Sequence, residues 1–217
     1  PEGVWLHYAS FSGCSSLTSI SLPESCTSIP NNAFYNCTSL VSIKLSSKTN
    51  SLSQSCFQNC KALVRIELPE TVTKLELFDF EHCIYLEEVK LPATLEEIGM
   101  NVFKKCESLK KINLPESLKV IQDCAFTECK SLVEVELPNS LEHLGSYAFE
   151  YCTSLKHIDL PAKCISERSG YVFAYSGLES VSLEEGIKLI PEGLFCNTNI
   201  KKIKIPSSVE KMYERAR

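Results

Sequence analysis

Ala125-Phe126-Thr127-Glu128-Cys129-Lys130-Ser131-Leu132-Val133-Glu134-Val135-Glu136-Leu137-Pro138-Asn139-Ser140-Leu141-Glu142-His143-Leu144-Gly145 is one turn of a pattern that runs through the whole chain. Reading outward from it, Phe recurs at 11, 34, 57, 80, 103, 126, 149, 173 and 195, at intervals of 23 six times, then 24, then 22. Three residues after the first seven of these Phe comes Cys, at 14, 37, 60, 83, 106, 129 and 152; six after comes Leu, from Leu17 to Leu155. Nine after comes Ile or Val and eleven after comes Leu, usually with Pro behind it, as at Leu22-Pro23, Leu68-Pro69 and Leu160-Pro161. The last two units drop a residue after their Phe, so the later columns move to Leu178, Val181, Leu183 and Ile200, Ile203, Ile205. A fixed period of this length marks a repeat array, here about nine units of 23 residues over residues 1–217.

Within a unit, Leu132 to Leu137 alternates apolar and polar residues and is rich in Val, which predicts a short strand with one buried side. Proline then ends it, having no amide proton to give to a ladder. A second apolar pair follows, Leu141 and Leu144 here, with Val72 and Leu75, Leu95 and Ile98, and Leu118 and Ile121 elsewhere, and reads as another extended leg. The small and polar residues around Ala125 to Cys129 suggest a short helical or 3₁₀ turn that returns the chain. Each unit offers about seven apolar side chains worth roughly 1.5–3 kcal/mol apiece when buried, against roughly 1–2 kcal/mol for ordering each of its residues. A lone unit therefore stays unfolded, and stacking upon neighbours completes both the burial and the hydrogen-bond ladder.

The pattern Ala125-Phe126-x-x-Cys129-x-x-Leu132-x-x-Val135-x-Leu137-Pro138-x-x-Leu141-x-x-Leu144-Gly145 closely resembles the BspA-like leucine-rich repeat family, and the resemblance covers essentially the whole chain. It implies a right-handed solenoid and a surface binding role, since proteins of that family are mostly cell-surface or secreted, and several are thought to mediate adhesion. Joined to the residue reading, the expected fold is an α/β leucine-rich-repeat solenoid with a parallel β-sheet on one face and short strands and 3₁₀ or helical turns on the others. Departures mark distorted units: Ser46-Ser47 and Glu184 replace the Pro step, and Ser176 and Thr198 take the Cys position. The segment Cys164 to Gly170, with an extra residue and the pair Glu167-Arg168, is expected to bulge. Pro1 to Ser10 reads as the tail of a preceding unit and the chain stops at Arg217 near the next Phe position, from which a longer native array is expected.

Composition narrows the function. Asp and Glu outnumber Lys and Arg by 27 to 22, for a net charge of -5, which disfavours nucleic acid as a partner. No apolar run approaches the roughly 18 residues of a membrane span, and Pro1 to Ser10 lacks the regions of a signal peptide. The twelve cysteines do not read as a disulfide framework: equivalent positions in stacked strands lie about 4.7–4.9 Å apart, wider than the roughly 3.5–4.5 Å between the Cβ atoms of a disulfide. A buried column of small thiols is expected instead, with no metal or other cofactor. Asn36-Cys37-Thr38 matches a glycosylation sequon, but its Cys belongs to that column. No phosphate loop, H-E-x-x-H or G-x-S-x-G occurs, and His157 with Asp159 is the one pair placed to poise a base.

What remains is the outward side of the first strand. Its columns run Ser42, Arg65, Glu88, Lys111, Glu134, His157 and Lys44, Glu67, Lys90, Asn113, Glu136, Asp159. Signs alternate between neighbouring units, which is in part cross-strand charge pairing. A rigid polar face of this kind is also what a solenoid offers a partner, so Arg65, Glu67, Glu88, Lys90, Lys111, Asn113, Glu134, Glu136, His157 and Asp159 form the expected binding face, for a protein or glycan ligand. An acidic cluster at Glu134, Glu136 and Asp159 is distinct from a basic end at Lys201, Lys202 and Lys204. The resulting expectation is a non-catalytic adhesion or protein-interaction module at the cell surface or secreted. The alternative is an intracellular, cytoplasmic scaffold segment, which the many unpaired cysteines would suit.

Overall fold

A computed structural model describes residues 5–215, so the expected tail at Pro1 to Val4 and the final Ala216-Arg217 lie outside the described residues. Successive units, called coils 1 to 9 after their Phe, stack along one axis. The first leg of coils 1 to 8 supplies β1 (Ser19–Ser21), β3 (Ser42–Lys44), β5 (Arg65–Glu67), β7 (Glu88–Lys90), β9 (Lys111–Ile112), β11 (Glu134–Val135), β13 (His157–Leu160) and β14 (Ser180–Leu183). The second leg supplies β2 (Ser28–Ile29), β4 (Ser51–Leu52), β6 (Lys74–Leu75), β8 (Glu97–Ile98), β10 (Val120–Ile121), β12 (His143–Leu144), β15 (Leu189–Ile190) and β16 (Lys211–Met212). All recorded pairings are parallel and join equivalent positions of adjacent coils, as Arg65↔Glu88, Lys111↔Glu134 and His157↔Ser180 on the first leg and Leu75↔Ile98 on the second. Strand ends alternate in exposure as the sequence alternates: in β13, Ile158 and Leu160 are buried while His157 and Asp159 are exposed.

The nine Phe form a single stack. Ring centroids of neighbours lie 5.0–5.9 Å apart with interplanar angles of 1–18°, from Phe11 to Phe195. Beside them runs the cysteine column, and its geometry explains the residue choice. In coils 2 to 7 the thiol donates to the carbonyl of the Phe one coil earlier: Cys37 to Phe11 at 3.0 Å, Cys60 to Phe34 at 3.1 Å, and so on to Cys152 and Phe126 at 3.3 Å. Cysteine is small enough for the corner and carries a weak donor for a carbonyl that faces the interior. Apart from Cys26, the described thiols are free, and burial pushes the ladder thiols up, Cys37 to about 11 and the fully buried ones further. In coil 8, Ser176 takes the column position, and its buried hydroxyl has no hydrogen-bond partner among the described residues. The residue missing from that coil draws the chain inward until Gly177 meets Thr153, whose carbonyl oxygen would sit 2.0 Å from a Cβ at Gly177.

The return turn differs from expectation. Residues 125–129 are not helical; two residues in left-handed conformation flank Phe126, Cys124 at φ 58° and Glu128 at φ 61°. The same two positions are left-handed in every coil from Ala9 and Gly13 to Gly193 and Asn197, which rules out a continuing right-handed helix. Their amides and that of the Phe between them donate to the next coil instead: Cys124 to Ser146 at 2.9 Å, Phe126 to Ala148 at 2.8 Å and Glu128 to Glu150 at 2.8 Å. The turn is thus a third inter-coil ladder. Asn32, Asn36, Asn59, Asn101, Asn197, Gly13 and Gly193 at these positions were the signal available in the sequence, because Asn and Gly tolerate left-handed backbone best. Among the described residues the one helix is a 3₁₀ turn, Ala162–Cys164, so the fold is a parallel-strand β-solenoid with almost no helix rather than an α/β assembly.

That 3₁₀ turn ends at Cys164, where the segment expected to bulge begins. Coil 7 has no strand there, and the Ser169 hydroxyl donates to the Leu144 carbonyl at 2.7 Å where a strand amide would have done so. Glu167, exposed on the bulge, reaches past coil 8 to Lys211 at 3.1 Å and to the Tyr213 hydroxyl. One further irregularity is internal. The column preceding the Phe is buried and small or apolar at Ala33, Val102, Ala125 and Ala148, but coil 4 places Asp79 there. Its carboxylate accepts from the Glu76 amide at 2.7 Å and the Cys56 thiol at 3.4 Å, and burial raises its pKa to about 7.

Candidate binding face

The first-leg strands mount the expected face. Each of Arg65, Glu67, Glu88, Lys90, Lys111, Asn113, Glu134, Glu136, His157 and Asp159 is exposed, while the intervening Ile66, Val89, Ile112, Val135 and Ile158 are buried in the core. Period-two alternation thereby fixes each polar side chain on a backbone that cannot turn over without exposing its core residue.

Part of the charge is consumed within the face. Lys90 pairs with Glu67, Lys111 with Glu134 at 3.2 Å, Lys156 with Glu179 at 2.9 Å and Lys110 with Glu87 at 3.9 Å, all between adjacent coils. The hydrogen bond from Lys90 to Glu67 raises the lysine's pKa, and that from Lys156 lowers the pKa of Glu179. Solvent screens pairs this exposed, so they order the surface more than they stabilise the fold. The expected acidic cluster is accordingly uneven: Glu134 is held by Lys111, whereas Glu136 has no ion pair among the described residues.

His157 occupies the centre of a chain of hydrogen bonds. One ring nitrogen lies 3.0 Å from Asp159 Oδ1 and the other 2.7 Å from Ser180 Oγ, on the next strand. Hydrogen bonds from the Ser182 hydroxyl and then from His157 hold the Asp159 carboxyl below the usual carboxylate range. Ser180 and Ser182 stand 23 residues after His157 and Asp159 and continue the two columns, which the reading from sequence ended at those two residues. A serine, an imidazole and a carboxylate in line can in principle activate a hydroxyl. Here the group lies open on the strand surface, and the Ser180 amide is already given to the Lys156 carbonyl at 3.3 Å, so that donor is not free for an oxyanion.

Two shallow grooves cross the other half of the face. One of about 570 Å³ is lined by Val64, Arg65, Glu87 to Lys90, Lys110, Lys111 and Asn113; the second, about 750 Å³, runs from Glu24 and Ser42 to Glu67. They share Arg65, Glu88 and Lys90. Among the described residues no group of three His, Cys, Asp or Glu is placed to hold a metal ion, and no helix is long and apolar enough to cross a membrane.

Comparison with known proteins agrees with this architecture. No curated protein matches the chain. A crystal structure of a leucine-rich repeat protein from Bacteroides ovatus is similar at 25% identity and a TM-score of 0.56, over 96% of this chain and 78% of that one. The leucine-rich repeat protein TpLRR of T. pallidum is similar at 28% identity and a TM-score of 0.54, over 90% and 68%. One from Eubacterium ventriosum, at 21% identity and a TM-score of 0.58 over 92% and 47%, shares the fold. The family described as BspA type leucine rich repeat region matches in six copies, over residues 6–126 and 96–216. With the Phe stack, the Leu and Ile columns and the parallel ladders in the register that this repeat requires, the chain belongs to the BspA-type leucine-rich repeat family.

Proposed function

We propose that this chain is a non-catalytic binding module, carried at a cell surface or secreted, that engages a protein or glycan partner through the first-leg sheet face. The observation that carries the reading is the mounting of ten exposed polar side chains on, or one residue past, strands whose alternate residues are locked in a continuous core. Such a face is ordered before a partner arrives, so binding avoids much of the entropic cost of arranging contact residues. Family membership supports the same reading, because repeats of this type present surfaces rather than enclosed pockets. Partners captured from surface and secreted extracts test it, by interferometry against the parent and a variant in which Glu134, Glu136 and Asp159 are all changed to Lys. Altered affinity for at least one partner is expected; unchanged affinity for all of them refutes the face.

A second reading, an intracellular scaffold segment, is favoured by one observation: eleven of the twelve thiols are free in this fold. Titrating thiols in protein isolated from its native source separates the two. Accessible cysteines found oxidised place it in an oxidising compartment, and a full count of reduced thiols places it inside the cell.

A further inference from the structure

Resting on the binding-face reading, we propose that Arg65 is the anchor of that face and takes a carboxylate from an extended, mixed-charge polypeptide segment lying in the two grooves. Among the described residues Arg65 is the only arginine on the sheet face, since the others stand at 168 and 215. It is exposed, and among the described residues its guanidinium makes no hydrogen bond and no ion pair, although Glu88 stands opposite it in strand register. The cations on the two following strands differ: Lys90 and Lys111 are already held by Glu67 and Glu134, and on the preceding strand Lys44 offers only an ammonium. The face therefore keeps one guanidinium with all its donors free, in the place where its two grooves meet. A guanidinium matches a carboxylate with two parallel hydrogen bonds, which a lysine cannot reproduce.

The surroundings choose the class of ligand. Beside Arg65 lies an apolar step, with Val64 half-buried in the groove wall and Val41 47% exposed next to it, joined through the Val64 amide and Val41 carbonyl at 3.3 Å. Apolar side chains flanking the incoming carboxylate would cover this step. Charge alternates around the anchor: Glu67 two residues along the strand and Glu88 one coil on are both acidic, and Glu88 is itself without an ion pair among the described residues. A uniformly anionic polysaccharide reaching Arg65 would bring like charges against both. A peptide with a basic residue one or two positions from its carboxylate gives Glu88 a partner as well, and it can register with strands whose own repeat is about 3.3 Å per residue.

The probes are fluorescein-labelled Ser-Val-Glu-Val-Lys-Ser-Val-Glu-Val-Lys, the same peptide with Gln for Glu, and a labelled oligoglucuronate of similar length, each measured by anisotropy against the whole chain. The Glu peptide should bind, more weakly as salt rises, and Arg65→Lys and Arg65→Gln should each weaken it by roughly tenfold or more, as should Gln in the peptide. Circular dichroism and thermal midpoints matching the parent exclude misfolding, since Arg65 is outside the core. The proposal is overturned if the Glu peptide does not bind, if Arg65→Gln binds it as the parent does, or if oligoglucuronate binds as tightly as the peptide. Peptide binding that survives Arg65→Gln but is lost on reversing Glu134, Glu136 and Asp159 removes the anchor while leaving the face intact. Indifference to both sets of changes removes both.

Discussion

Changing Asp79 to Asn should make this protein more stable at mildly alkaline pH and slightly less stable in acid. In the folded chain the carboxyl is fully buried and titrates at about 7, against 3.8 for its ordinary value. The folded state therefore holds the proton more tightly than the unfolded chain, and this group's contribution to stability is intact below about pH 4 and is lost as pH rises through 7. A gap of about three pH units corresponds to about 4 kcal/mol once the group is ionised in both states, and to about 2–3 kcal/mol between pH 5 and pH 8. Asn has the same shape and keeps an oxygen for the Glu76 amide, but it cannot accept the Cys56 thiol with both side-chain atoms. That loss costs about 1 kcal/mol at every pH and moves the baseline without changing the slope. Urea denaturation of parent and variant at about pH 5 and about pH 8 measures the difference directly. If the stability gap is the same at both values, or if the parent gains on the Asp79→Asn variant as pH rises, the carboxyl is not desolvated as described.

Phe103→Ala should cost about 3–5 kcal/mol, because the ring is fully buried between Phe80 at 5.5 Å and Phe126 at 5.2 Å, and chemical denaturation should show it; a loss below about 1 kcal/mol would mean that the stack is not continuous. Ser176→Ala should raise stability by about 1 kcal/mol, since it removes a buried hydroxyl without a partner, and a lower thermal midpoint would show that the hydroxyl is bonded after all. Native protein treated with a thiol reagent should label quickly at Cys14, Cys124 and Cys196, and at the other nine cysteines only after unfolding; fast labelling at Cys83 or Cys106, read by mass spectrometry, would contradict the buried ladder.

Much of this architecture was legible because the repeat reports on burial nine times over. A single Phe at an interior position says little, but Phe80, Phe103 and Phe126 at one interval can share an environment only if their coils stack in register. The face residues followed from the same logic, since alternation in Glu134 to Leu137 assigns each side chain to core or solvent. The return turn was misread because apolar spacing is silent about the sign of φ. Phe126 and Cys129 are three residues apart, which suits a helical turn as well as the left-handed arch that Cys124 and Glu128 build.

The sequence by itself therefore determined the periodic core, the parallel stacking and which side chains look outward, because those depend on the spacing of apolar residues along the chain. Only the tertiary structure decided which of the outward charges are spent on one another and which are free. Side chains 23 residues apart in sequence, such as Lys111 and Glu134, meet across one coil, whereas Arg65 and Glu88 hold the same register without bonding. The identity of a residue gives its charge, but how far that charge remains open to a partner depends on distances of a few ångströms between coils, and spacing along the chain does not encode them.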